Sequence, residues 1–230
     1  MFSLVRIYVP LTTHDSKRGI STQIVDRTWD HIVEHHRSWR TDEVKPIYMT
    51  HRHLQEDTSL IVDAANPDVL ADFLLSHIAT IENVRGIWTI NMAKIRFFKT
   101  PREHHSDLFR FTVTIDAMPK HLDRIYETIS ELKPGRDIII NYIAHTFQSP
   151  TASIMVSVLA RSMNHIEAFV NDYVRSQEGV VDAAITFISR TTRLASPKEW
   201  KEALGPYFVA PSGKPIRDIN VDDDSLIAGC

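Results

Sequence analysis

Tyr48-x-x-His51 and Tyr142-x-x-His145 are the pairs in this 230-residue chain whose types and spacing suggest chemistry. A phenol and an imidazole can each carry a proton or hold a polar ligand near neutral pH. Each pair lies in a run that reads as a strand, where a spacing of three puts its members on opposite faces, so one of the two can meet a given ligand. His53 shares a face with His51, and two imidazoles so placed suit a metal ion. The position matching His53 in the second pair is Phe147, so no metal is assigned and no cofactor is expected. Arg52 and Arg110 could neutralise an anion. Tyr48, His51, Arg52, Arg110, Tyr142 and His145 are therefore the candidate ligand-binding set. The plainer alternative is strand histidines held by polar neighbours and solvated arginines.

The elements that must position these residues come twice. Ser153 to Arg193 reads as an apolar strand from Ile154 to Ala160, a helix with Ile166, Phe169, Val170, Tyr173 and Val174 on one stripe, a stop at Gly179, and a closing strand from Val180 to Ile188. Ser59 to Phe98 repeats it. Here the strand is Leu60 to Ala64, Asn66 and Pro67 open a helix carrying Val69, Leu70, Phe73, Leu74 and Ile78, and a strand follows from Val84. Phe73 and Phe169, and Val84 and Val180, are 96 residues apart. Leu60 and Ile154, Tyr48 and Tyr142, and His51 and His145 are 94 apart, a difference assigned to two extra residues in the strand-to-helix loop of the second copy. The reading is a tandem duplication.

The rest of the chain completes each copy. Phe2 to Val9 is a strand, 11–19 a polar loop that is either a lid or an excursion, and Ser21 or Thr22 caps a helix to about Trp39. Val44 to Leu54 is the next strand. The linker 99–107 contains Pro101, after which Leu108 to Ile115 alternates apolar and polar residues. A helix from Pro119 stops at Pro134-Gly135, and Ile138 to Phe147 is a strand. Ser196-Pro197-Lys198-Glu199 is a capping box for a short helix through Leu204, and an acidic tail follows. The expected fold class is α+β: ferredoxin-like βαββαβ repeats at 1–100 and 107–196, their antiparallel sheets forming an α/β barrel, with a helix and tail at 197–230. Sheets covered by helices on one face leave the other for a ligand or another sheet. Trp29, Trp39 and Trp88 read as core or interface anchors.

The strand–helix–strand runs SIMVSVLARSMNHIEAFVNDYVRSQEGVV and SLIVDAANPDVLADFLLSHIATIENVRG resemble the effector-binding domain of the Lrp/AsnC regulators, in the dimeric α/β-barrel superfamily. The likeness covers roughly residues 1–195. It implies a small-metabolite sensor, active in transcription only through a partner that binds DNA, since the strand-like SLVRIYVP stands where the family has a helix-turn-helix. QEDTSLIV and SPTASIMV also lack the Gly and Asp the family places before that strand. The superfamily implies two alternatives: a monooxygenase-like or haem-handling enzyme using the barrel histidines, or a structural assembly subunit.

Composition narrows the classes further. With 43% apolar and 24% charged residues the chain reads as globular, and its formal charge of -3 offers no general attraction to nucleic acid or an anionic membrane. No apolar run spans a bilayer, so a cytoplasmic location is expected, with a small-molecule effector and self-association as partners. The single cysteine, Cys230, excludes an internal disulfide framework. There is no phosphate-binding glycine loop and no serine-hydrolase or zincin motif, so the chain reads as a binding protein more than an enzyme.

Overall fold

The computed structural model describes residues 1–9, 20–52, 57–98, 108–148, 151–209 and 213–216. The loop at 11–19, His53, the linker at 99–107, and Asp222 to Cys230 lie outside them. The elements in order are β1 (Phe2–Tyr8), α1 (Ile20–His35), β2 (Val44–Arg52), β3 (Asp57–Ala64), α2 (Pro67–Phe73), β4 (Gly86–Phe98), β5 (Phe109–Ala117), α3 (Leu122–Ser130), β6 (Ile138–Gln148), β7 (Thr151–Ala160), α4 (Met163–Phe169), β8 (Val180–Arg193), α5 (Pro197–Leu204) and β9 (Phe208–Val209). This is an α+β chain with the order βαββαβ occurring twice. None of its described helices is long and apolar enough to cross a membrane.

The chain divides into two compact units, 1–93 with 188–206 and 94–187 with 207–230. β4 and β8 therefore each give one end to each unit. In the first unit β1 lies between β3 and β4, with Arg6 opposite Ser59 on one side and Trp88 on the other. β2 lies between β3 and β8, with Tyr48 opposite Ile61 and Arg193. In the second unit β7 lies between β5 and β6, placing Arg110 opposite Leu159 and Tyr142 opposite Ser157.

Each sheet packs its helices with one face. In the first unit Val5, Ile7, Met49, Leu60 and Val62 form a core with Trp29, Ile32 and Phe73. In the second, Phe111, Val113, Ile143, Val156 and Val158 do so with Ile125, Ile129 and Phe169. These positions alternate along their strands, as burial of one sheet face requires. β2 and β6 interrupt the alternation in the same way, because Ile47 and Asn141 are inserted without a partner and shift the register. Such a bulge moves every later residue to the opposite face.

The helices also match. Asn66 and Ser162 cap α2 and α4 with the same backbone angles, φ -154° and ψ 174°, each side chain accepting a bond from the backbone N–H three residues on. Both helices then run into π-helical turns, Leu74–Ile78 and Val170–Arg175. Ala64 and Ala160 stand equally far before these caps, and both pair with the start of the preceding strand, at Val44 and Ile138. Leu60 thus corresponds to Val156 rather than Ile154. The two extra residues fall between His145 and Ile154, within the β6–β7 hairpin rather than in the strand-to-helix connection, since His51 pairs with Thr58 seven residues on and His145 with Ile154 nine residues on.

α1 ends at His35, short of the expected Trp39. His36 leaves the helix and places both ring nitrogens against carbonyls, which fastens the following turn. α5 forms with its capping box intact, Ser196 accepting from the Glu199 N–H and Glu199 from the Ser196 N–H. Gly179, read as a helix stop, has φ of 92°, and a side chain there would collide with His121.

The fully buried Phe169 and the nearly buried Phe73 hold the two cores. Replacing either by Ala should cost about 3–5 kcal/mol of stability, measured by urea unfolding. A loss below about 1 kcal/mol at either site would place that ring outside the core.

Candidate functional site

The helix-free face of the first sheet carries an unusual charge. Val5 and Ile7 point to the helices, so Arg6 between them points the other way, along with its cross-strand neighbours Ser59 and Trp88. Arg6 is buried enough that desolvation lowers its pKa, and the nearby charge of Arg52 lowers it further, against a smaller opposing effect of Asp57. Its Nε is buried with no hydrogen-bond partner. Arg52 donates to both oxygens of the buried Asp57, at 2.8 and 2.5 Å. Two cations thus share one carboxylate that is already held. Trp29 and Trp39 are buried, as expected, but Trp88 is 70% exposed beside Arg6.

The bulge at Ile47 decides where the predicted pair goes. Met49 lies with α1 and α2, so Tyr48 projects from the opposite, otherwise helix-free face, where α5 reaches it and its ring meets Trp200 at 5.9 Å. His51 falls on the helix side. Its Nδ1 is 3.1 Å from the Asp57 carbonyl, and burial, the largest influence, lowers its pKa.

The second unit sorts its residues likewise. Arg110 and Tyr142 share the helix-free face and converge on Ser157, whose hydroxyl accepts from Arg110 at 3.4 Å and whose backbone lies opposite Tyr142. Tyr142 also packs on Phe97 at 5.4 Å between ring centres. His145 turns the other way and stacks on Tyr126 of α3 at 4.7 Å. Its Nε2 lies 3.2 Å from Asp123 Oδ1, within reach of charge attraction but outside hydrogen-bond geometry. Burial lowers the His145 pKa more than Asp123 raises it. The Tyr126 hydroxyl donates to the Lys94 carbonyl, and burial pushes its pKa up to about 12.

Of the six candidate residues, Tyr48 and Arg52 therefore share the helix-free face of one unit, Tyr142 and Arg110 that of the other, and both histidines lie against helices. Arg6, Asp57 and Trp88 were not in the set. An arginine in the middle of the apolar run SLVRIYV was the available signal for Arg6, since strand alternation alone puts it opposite the core-facing Val5 and Ile7.

Both histidines are held by neighbours on the helix side. Nδ1 of His51 is engaged by a carbonyl, while the His145 ring is covered by Tyr126 on one face and Asp123 stands before its Nε2.

No family model matches the chain, and no curated protein does. Solved structures similar to it include a monooxygenase candidate from Lactobacillus acidophilus, 10% identical over 84% of this chain and 93% of that one, with a TM-score of 0.45. A chlorite dismutase mutant from Candidatus Nitrospira defluvii is 12% identical over 90% and 94%, with a TM-score of 0.46. A Rhodococcus jostii DypB variant in complex with heme is 6% identical over 81% and 92%, with a TM-score of 0.44. The Lrp/AsnC resemblance is corrected accordingly, and the transcription-regulator reading goes with it. It rested on hydrophobic spacing, which any βαββαβ unit shares.

His145 should make stability pH-dependent. Its lowered pKa means that the unfolded chain binds more protons just below the ordinary value of 6.5, so stability falls as pH drops through 6.5 and levels off below the folded-state value. Urea midpoints at neutral and mildly acidic pH should differ less in His145→Phe than in the parent. An equal or steeper pH dependence in the variant would contradict this.

Proposed function

We propose that the chain binds a small planar organic acid on the helix-free sheet face of its first unit and acts on it as an enzyme, in the monooxygenase-like class rather than as a haem protein. The observation that carries this reading is Arg6, half-buried with a buried, unpaired Nε across from the exposed Trp88. Taking a guanidinium out of water costs on the order of several kcal/mol unless an anion meets it, and Asp57 is already held by Arg52. A ligand carboxylate or phenolate supplies the missing charge, and the indole offers its ring a platform. A guanidinium so placed would also favour the conjugate base of a phenol or enol, the electron-rich form that an oxidant attacks. Tyr48 and Arg52 are assigned to ligand contact with Arg6. Arg110 and Tyr142 are assigned the same role on the second unit, while His51 and His145 position the strands from behind.

The same proposal includes a tandem duplication, with copies at 1–100 and 107–196. It is supported by the matching bulges at Ile47 and Asn141, the identical caps at Asn66 and Ser162, and the paired π-helical turns. A cytoplasmic site of action and self-association belong to it as well.

Fluorescence titration with hydroxybenzoates and naphthols tests the binding site, with oxygen uptake followed in parallel. A saturable quench is expected. Trp88→Phe should remove most of it, and Arg6→Met should weaken binding roughly tenfold or more, as loss of a charge-assisted contact does. Unchanged titrations in both variants would reject the site, and binding without oxygen uptake would reject the oxygenase assignment.

A further inference from the structure

A second site lies in the first unit, away from Arg6 and Trp88. We propose that the cleft between the C-terminal end of α1 and the junction of β8 with α5 binds a small molecule through a phosphate group. The cleft encloses about 610 Å³ and is lined by Arg37, Arg40, Arg193, Glu199 and His36, among others. That is a typical volume for a metabolite site.

Its walls are fixed by the same bulge that sorts the strand. The Ile47 carbonyl accepts from the N–H groups of both Leu194 and Ala195, at 3.0 and 3.1 Å, so the chain leaving β8 is tied to β2 at two successive residues. His36 braces the floor, with Nδ1 2.6 Å from the Val33 carbonyl and Nε2 3.1 Å from that of Leu194. Arg40 donates to both oxygens of Glu199 and to the Pro46 carbonyl, which leaves its buried Nε without a partner. Glu199 is committed to that role. Its carboxyl is held at about 2 by bonds from Ser196 and by Arg40, so it stays ionised and neutralises one guanidinium.

Two cations remain. Arg193 lies over the Trp200 ring at 4.7 Å, which leaves the edge of its guanidinium available, and Arg37 is exposed. Among the described residues neither takes part in an ion pair. Among the described residues the other carboxylate lining the cleft, Glu34, is exposed. One carboxylate would be satisfied by a single guanidinium fork, whereas two separate forks ask for more acceptors. The terminal oxygens of a phosphate meet that demand, and its double charge matches two cations.

Calorimetric titration of the full chain with inorganic phosphate, glycerol 3-phosphate and succinate tests the proposal. Both phosphates should bind at low salt, and succinate should bind clearly more weakly. Replacing both unpaired arginines, Arg37→Ala with Arg193→Ala, should weaken phosphate binding about tenfold or more while the melting temperature is kept. Arg37→Lys with Arg193→Lys should restore part of it, and Trp88→Phe should leave it unchanged. Absence of phosphate binding at millimolar concentration, unchanged affinity in the double alanine variant, or succinate binding as tight as phosphate would each overturn it.

Discussion

A single residue inserted into β2, and another into β6, decides which side chains of these strands face the helices and which do not. Without Ile47 as an extra residue, Tyr48 would follow Val44 and Pro46 onto the helix side and His51 would project from the other. With it, cross-strand pairing resumes one step out of phase, so Met49 and His51 go inward and Tyr48 outward. Asn141 does the same to Tyr142 and His145. The bulge also frees the Ile47 carbonyl to hold Leu194 and Ala195, which ties the end of β8 against β2. Both the placement of Tyr48 on the face that carries Arg6 and the cleft below α1 therefore depend on one local irregularity.

This sorting of faces also sets the polar groups. Helix-covered faces are filled mainly by Ile, Val, Leu and Phe, and burial keeps His51 and His145 there toward the neutral form. Arg6, Arg52 and Arg110 lie on the other faces, where Arg6 and Arg52 compete for Asp57 and Arg110 leans on Ser157, while Arg190 and Arg96 pair with carboxylates of α1 and α3. A half-buried cation in excess of its carboxylates is costly for folding alone, and such sites are commonly tuned for a ligand. The exposed indole of Trp88 next to that cation points to a flat anion rather than a compact one.

Much of the fold was legible. Three- and four-residue spacing located the helices around Phe73 and Phe169, alternation located the strand holding Phe111 and Val113, and Ser196 with Glu199 announced α5. The opposite-face placement of Tyr48 and His51 was legible too, but not which face each took, because a bulge has no composition of its own in PIYM or INYI. Hydrophobic spacing also misaligned Leu60 with Ile154, since β-branched residues two apart look alike and only pairing with β2 and β6 separates them. Arg37, Arg40 and Arg193 escaped notice for another reason. They meet across some 150 residues of chain, and no periodicity links a helix end to a strand end.

The placement of the rings can be read directly from proton–proton proximities in solution. A NOESY spectrum with selectively labelled aromatic residues should connect the rings of His145 and Tyr126, and those of Tyr142 and Phe97, with no cross-peak between Tyr142 and Tyr126. A strong Tyr142–Tyr126 contact in place of the His145–Tyr126 one would mean that β6 runs without its bulge, and the helix-free faces would then lack the tyrosines assigned to them.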